Sequence, residues 1–232
     1  MASNYSPKIV TDGLVLCLDA ADKNSYPGSG TTWTDLSPNG NDGTITNATF
    51  STAGGGSMDF DGSGDYIDCG HDTTLDAGTS DFTACCWFKL VDDGNHHDII
   101  SKGTSLNTGY GWALSFLDST SKLYFDCGDN IARVATISST AISHNTWYHV
   151  AVTRNNARNL SEIYINGVSD VTAANILDDL GDGSQDIPFK IGSSASARYL
   201  NGSVTNVGFW SRVLTATEIT QNFNAQRSRF SV

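Results

Sequence analysis

The chain has 232 residues, 39% hydrophobic and 10% aromatic, enough to bury a core and too many for wholesale disorder. Its net charge of −12 argues against a sequence-independent grip on nucleic-acid phosphates and disfavours an anionic membrane surface. The acid is almost all aspartate, a turn former, with Glu162 and Glu218 the only glutamates, so the composition suggests a β-protein rich in loops.

In chain order, "GLVLCLDA" (13–20) is a short apolar strand opened by a glycine. Residues 21–57 are polar and rich in Gly, Asn and Thr, and read as loops with short β pieces around Trp33 and Phe50. "MDFDGSGDYIDCG" (58–70) has the look of a calcium loop, but counting from Asp59 puts Gly70 where the bidentate glutamate belongs. It is therefore read as a turn at Asp61-Gly62-Ser63-Gly64 joining strand "SMDF" to strand "DYIDCG". "DFTACCWFKLV" (81–91) alternates, with Phe82, Ala84, Cys86, Phe88 and Leu90 on one face and Thr83, Cys85, Trp87 and Lys89 on the other. Strands at 98–103, 112–117, 122–128 and 132–137 follow. "TWYHVAVTRN" (146–155) sets Trp147, His149, Ala151 and Thr153 opposite Tyr148, Val150 and Val152. Asn166-Gly167 in "SEIYINGVSDV" predicts a two-residue type I′ hairpin, since both residues tolerate positive φ. Strands at 189–194 and 202–213 complete the set.

The segment 215–226 is the one helix, with Thr215 as N-cap, Glu218 closing a capping box, and Ile219 and Phe223 forming a narrow apolar stripe. No linker composition or internal repeat divides the chain. About twelve strands in one body imply an all-β fold of two stacked antiparallel sheets.

No stretch approaches the ~20 apolar residues of a membrane span, and "MASNYSPKIVTDG" lacks the apolar core of a signal peptide. The five cysteines, Cys17, Cys69, Cys85, Cys86 and Cys127, are expected to be free thiols in a reducing cytoplasm, because their count is odd. No Cys/His cluster has zinc spacing, so no metal ligand is assigned. The sequons at Asn4, Asn47, Asn159 and Asn201 carry no weight without secretion.

The blocks "MDFDGSGDYIDCG", "DFTACCWFKL", "DIISKG", "TWYHVAVTRN", "IYINGVSD", "PFKIGSS" and "LNGSVTNVGFWSRVLTATEITQNFNA" stand in the order of a laminin-G-like domain. The chain thus resembles the concanavalin A-like lectin/glucanase jelly roll over roughly residues 9 to 225, with 1–8 as an arm and 226–232 as a tail. Its ends look like free-standing versions in tailed, often marine, bacteriophages, where the domain is similar to virion structural or adhesion proteins. The resemblance implies a two-sheet jelly-roll sandwich with a short C-terminal helix.

The resemblance also implies places to look for chemistry. Relatives hold calcium near the last strand through a glycine-x-isoleucine-aspartate pattern; here Gly202-Ser203-Val204-Thr205 replaces the aspartate with Thr205, leaving only carbonyls and water for calcium. Glucanase relatives use E-x-D-x-E, which is missing: Glu162 and Glu218 have no acidic partner at the required spacing. Lyase relatives need Arg, His or Gln, and Tyr; Arg133, His149 and Tyr124 are present, but no motif joins them, and His149 reads as a buried, hydrogen-bonded strand residue. Asp92-Asp93 and Asp178-Asp179 read as solvated loop charge. For carbohydrate, "DDGNHHD" and "NTGYGWAL" supply His96, His97, Tyr110 and Trp112 as a stacking and hydrogen-bonding platform, on the expectation that their loops face one another.

The reading is a non-enzymatic virion module of a tailed phage, made in the host bacterial cytoplasm, for decoration, stabilisation or weak adhesion to host-surface glycans. Its partners are other capsid or tail proteins, with homo-oligomerisation left open. A polysaccharide depolymerase on the same fold and a free soluble lectin are the alternatives.

Overall fold

The alternating strands of the sequence need two apolar faces to meet, and in the computed structural model they do. The structure describes residues 8–103, 108–174 and 176–230. Sixteen strands and one α-helix are found among the described residues. The first six strands are β1 (Leu14–Asp19), β2 (Thr32–Trp33), β3 (Gly43–Thr46), β4 (Thr49–Ser51), β5 (Ser57–Asp61) and β6 (Tyr66–Asp68). Next come the long central strands β7 (Phe82–Leu90), β8 (His97–Gly103), β9 (Gly111–Leu117), β10 (Lys122–Gly128), β11 (Arg133–Ile137) and β12 (Tyr148–Asn155). They are followed by β13 (Leu160–Ile165), β14 (Val168–Ala174), β15 (Lys190–Ile191), β16 (Asn201–Trp210) and helix α1 (Ala216–Gln226).

The strands form two eight-stranded antiparallel sheets. The first runs β14-β13-β12-β7-β16-β5-β4, with β1 added alongside β16; the second runs β11-β10-β9-β8-β15-β6-β3-β2. The faces expected from alternation are those observed. Phe82, Ala84, Cys86, Phe88 and Leu90 of β7 and Val150 and Val152 of β12 lie in the core between the sheets. Cys85, Trp87, Trp147 and Ala151 lie on the opposite side of the first sheet. Inner faces of the two sheets interdigitate around an aromatic cluster in which Trp112 stacks on Phe209, with ring centroids 6.0 Å apart, beside Phe82, Phe125 and Phe189.

The stretch 58–70 is a turn, as expected, but it does not close a hairpin. β5 pairs with β4 and β16 in one sheet, whereas β6 pairs with β3 and β15 in the other. The turn is a corner that carries the chain across the sandwich. Its aspartates serve the corner itself: the Asp61 N–H donates to Asp65 Oδ2 at 3.0 Å and the Ser63 N–H to Asp61 Oδ1 at 2.7 Å. Buried Asp65 has its carboxyl pushed above the ordinary range by desolvation.

The hairpin at Asn166-Gly167 forms with φ of +50° and +77°, as type I′ requires. Helix α1 carries the expected capping box between Thr215 and Glu218, and Ile219 and Phe223 are buried against the outer face of the first sheet. Gln226 to Phe230, set apart as a tail in the sequence reading, belong to the body: Phe230 stacks on Trp87 with centroids 4.1 Å apart. Residues 1–7 of the 1–8 arm lie outside the described residues, while Val10 is fixed by Asn222 Oδ1 and by the Trp210 indole N–H. All five cysteines are buried and unpaired. Burial is the first cause raising each thiol, with Cys17 and Cys127 pushed up to about 12.

Candidate functional site

The four residues expected to form a sugar platform do not come together. The loop carrying His96 precedes β8, and Tyr110 follows the connection from β8 to β9. In the antiparallel pair, His97 faces Phe116 at one end and Gly103 faces Gly111 at the other. Seven residues of β8 at ~3.3 Å each separate the two loops by about 20 Å. Trp112 is fully buried in the aromatic cluster. Tyr110 lies half-buried at the far end, its ring so close to Gly181 that an added Cβ there would stand 2.5 Å away. Trp112 and Tyr110 are therefore packing residues and form no common platform with His96 and His97.

His96 and His97 do line a polar cleft of about 370 Å³, together with Gly62, Asp93, Asn95, Ala197, Arg198 and Tyr199. His97 is buried and acts as its inner support. Its Nδ1 lies 2.9 Å from the Tyr199 carbonyl and its Nε2 lies 3.1 Å from Asp93 Oδ1. Asp93 also accepts from the Asn95 N–H at 2.9 Å and from the Asn201 amide at 3.0 Å. Burial acts to raise the Asp93 carboxyl, but the donors Asn201 and Asn95 and the nearby His97 outweigh it and hold the group below its ordinary range. His96 Nδ1 accepts from the Asp118 N–H at 3.1 Å, which fixes the ring at the rim. Tyr199, half-buried, lines the same cleft. The residue types are those that hold a pyranose: a ring to stack on, and carboxylate, amide and imidazole groups for hydroxyls.

Sequence reading missed Tyr199, Arg198 and Asp93 as partners of His96. The segment 197–199 joins this cleft because the chain turns at Ala197, at φ +52°, just before β16, which is paired to β7. A tyrosine in a polar loop was the available signal. A second polar cleft, about 510 Å³, is lined by Asn39, Asp42, Thr44, Tyr66, Asp68 and Asp72, but Lys190 Nζ already lies 4.8 Å over the Tyr66 ring.

The hydrolytic and lyase arrangements weighed from the sequence do not assemble from the residues considered. Glu162 accepts from the Tyr164 hydroxyl at 2.8 Å and the Ser169 hydroxyl at 2.6 Å. Glu218 takes two hydrogen bonds from Arg212 as well as the helix cap, and Arg212 is the main cause lowering its carboxyl to about 2. Arg133 pairs with Asp126 and Tyr124 lies on β10, both in the second sheet, while His149 is buried under α1 on the outer side of the first. The expectation that the His149 ring is hydrogen-bonded is wrong: neither ring nitrogen has a partner, and the imidazole packs against Trp87 and Phe223.

Near the last strand, the place left to calcium with carbonyls and water meets a cation that the chain supplies. The Arg229 guanidinium donates to both Asp19 carboxylate oxygens at 3.0 Å, to the Gly54 carbonyl at 3.1 Å and to Thr205 Oγ1 at 2.7 Å. The Thr205 hydroxyl in turn donates to the Gly56 carbonyl.

A family model described as the Concanavalin A-like lectin/glucanases superfamily matches residues 61–220. No curated protein matches the chain by sequence. Among solved structures, the binding domain of Paraclostridial Mosquitocidal Protein 1 superposes with a TM-score of 0.67 at 18% identity, covering 92% of this chain and 52% of that one. The Botulinum neurotoxin serotype D ligand binding domain in complex with N-acetylneuraminic acid gives 0.68 at 18%, covering 94% and 52%. Trypanosoma rangeli sialidase in complex with sialic acid gives 0.67 at 19%, covering 95% and 34%. The chain spans about half or less of these proteins, and at such identities the likeness is one of fold, shared by binding domains and an enzyme alike.

Proposed function

We propose, for a chain that belongs to the concanavalin A-like lectin/glucanases superfamily, a non-enzymatic role as a decoration or adhesion module of a tailed-phage virion. It binds host-surface glycans weakly through the cleft of His96 and Tyr199. The observation that carries the reading is that cleft: a tyrosine, an imidazole and a hydrogen-bonded carboxylate line it together, while both glutamates are engaged in structural contacts. Two structurally similar proteins were solved with sialic acids, which supports a sugar as the ligand class. The virion assignment is supported by the phage-like ends of the sequence. Its partners would be other capsid or tail proteins, and its location the virion after synthesis in the host cytoplasm.

The test is a glycan array and host polysaccharide pull-down with the wild type, His96→Ala and Tyr199→Ala. Both variants should stay folded by circular dichroism and lose retention. New reducing ends or unsaturated sugars on incubation with the polysaccharide would overturn the non-enzymatic role. Mass spectrometry of purified particles should find the chain; its absence would overturn the virion assignment.

A further inference from the structure

Three connections meet beside the His96 cleft without any need of the glycan reading. Asp92 follows β7, Asp118 opens the turn between β9 and β10, and His144 precedes β12. One ligand atom from each lies within 4.8 Å of the others. His144 Nδ1 is 3.9 Å from Asp92 Oδ2 and its Nε2 is 3.6 Å from Asp118 Oδ1, both beyond hydrogen-bond range. Among the described residues, neither carboxylate pairs with a lysine or arginine. The carboxylates lie nearest opposite edges of the ring, and a neutral imidazole offers one nitrogen lone pair, so the group supplies two carboxylates and one nitrogen donor.

We propose that Asp92, Asp118 and His144 bind a divalent first-row transition metal, zinc foremost, and clamp the three connections together. One imidazole nitrogen and two carboxylates, with a water completing the tetrahedron, form a donor set suited to zinc. Calcium takes six to eight oxygens, and the two carboxylates here fall short of that. Two of the ligands are already positioned. The Asp118 N–H is fixed to His96 Nδ1 at 3.1 Å, and the His144 ring stands edge-on to Phe116 with centroids 5.4 Å apart. Asp92 is the most exposed of the three, with 70% of its side chain open to solvent. Closing the group to the ~3.3 Å between neighbouring ligands on a tetrahedral ion needs a shift on the order of an ångström.

The experiment uses the full chain, freed of metal with a chelator and dialysed, and titrated with zinc chloride by calorimetry and by thermal unfolding. One saturable site and a melting temperature that climbs with free zinc are expected. Asp92→Asn, an exposed change that leaves the fold intact, and His144→Ala should each weaken binding by at least the ~10–100-fold that losing an outer-shell partner costs. Calcium chloride should give no comparable shift. Absence of saturable zinc binding by the wild type would overturn the proposal, as would binding as tight as the wild type's by Asp92→Asn and His144→Ala. Because glycan retention is not part of the readout, failure here leaves the His96 cleft standing, and failure of that cleft leaves this site standing.

Discussion

Acid should loosen the C-terminal cover of this protein through one buried imidazole. His149 is 1% exposed, its ring nitrogens have no partner, and Trp87 and Phe223 pack on it. Desolvation therefore lowers its pKa from 6.5 to about 3. The folded state holds the ring neutral while the unfolded state protonates it below the ordinary imidazole range. This contribution is fully present above pH 6.5 and is lost as pH falls toward 3. At 1.36 kcal/mol per unit, the loss is about 2 kcal/mol at pH 5, about 3 kcal/mol at pH 4 and about 5 kcal/mol well below pH 3. His149→Leu, close in volume and unable to protonate, removes this component while leaving the carboxylates unchanged. Urea unfolding of both proteins at pH 7, 5 and 4 isolates it, because the background acid sensitivity is common to both. The difference in unfolding free energy should move in favour of the variant by about 3 kcal/mol between pH 7 and 4. Equal losses in the two proteins over that range would refute the reasoning and show that the imidazole is protonated in place or already reached by water.

Gly167→Val should cost about 1–3 kcal/mol by thermal or urea unfolding, since its φ of +77° strains a β-branched residue and an added Cβ would meet Phe223 at 3.0 Å. Arg229→Met should lose about 1.5–3 kcal/mol in the same assay, because the Asp19 carboxylate and the Gly54 carbonyl lose their charged donor. Trp112→Ala should cost about 3–5 kcal/mol in urea through the cavity left in the aromatic cluster. A thiol reagent should find no reactive cysteine in the folded protein and five after unfolding without reductant, given burial of every thiol.

Several features were legible in the sequence because they depend on short-range chemistry. Alternation in 81–91 and 146–155 assigned both faces of β7 and β12, since successive strand residues point to opposite sides. Asn166-Gly167 and the Thr215–Glu218 box needed only local dihedrals and nearby hydrogen bonds. Pairing across the fold was beyond such reach. The corner at 61–64 looks the same in sequence whether β5 and β6 pair or part, and only the sheets' partners decide that they part. His96 meets Tyr199 because β7 pairs with β16 more than a hundred residues later, while the course of β8 sends Tyr110 to the opposite end. His149 could be read as buried, but its lack of a hydrogen bond was decided by Trp87 beside it and by the Phe223 ring that α1 lays against it. Local sequence set the strands, turn and cap; long-range burial selected which polar groups meet, and with them the site.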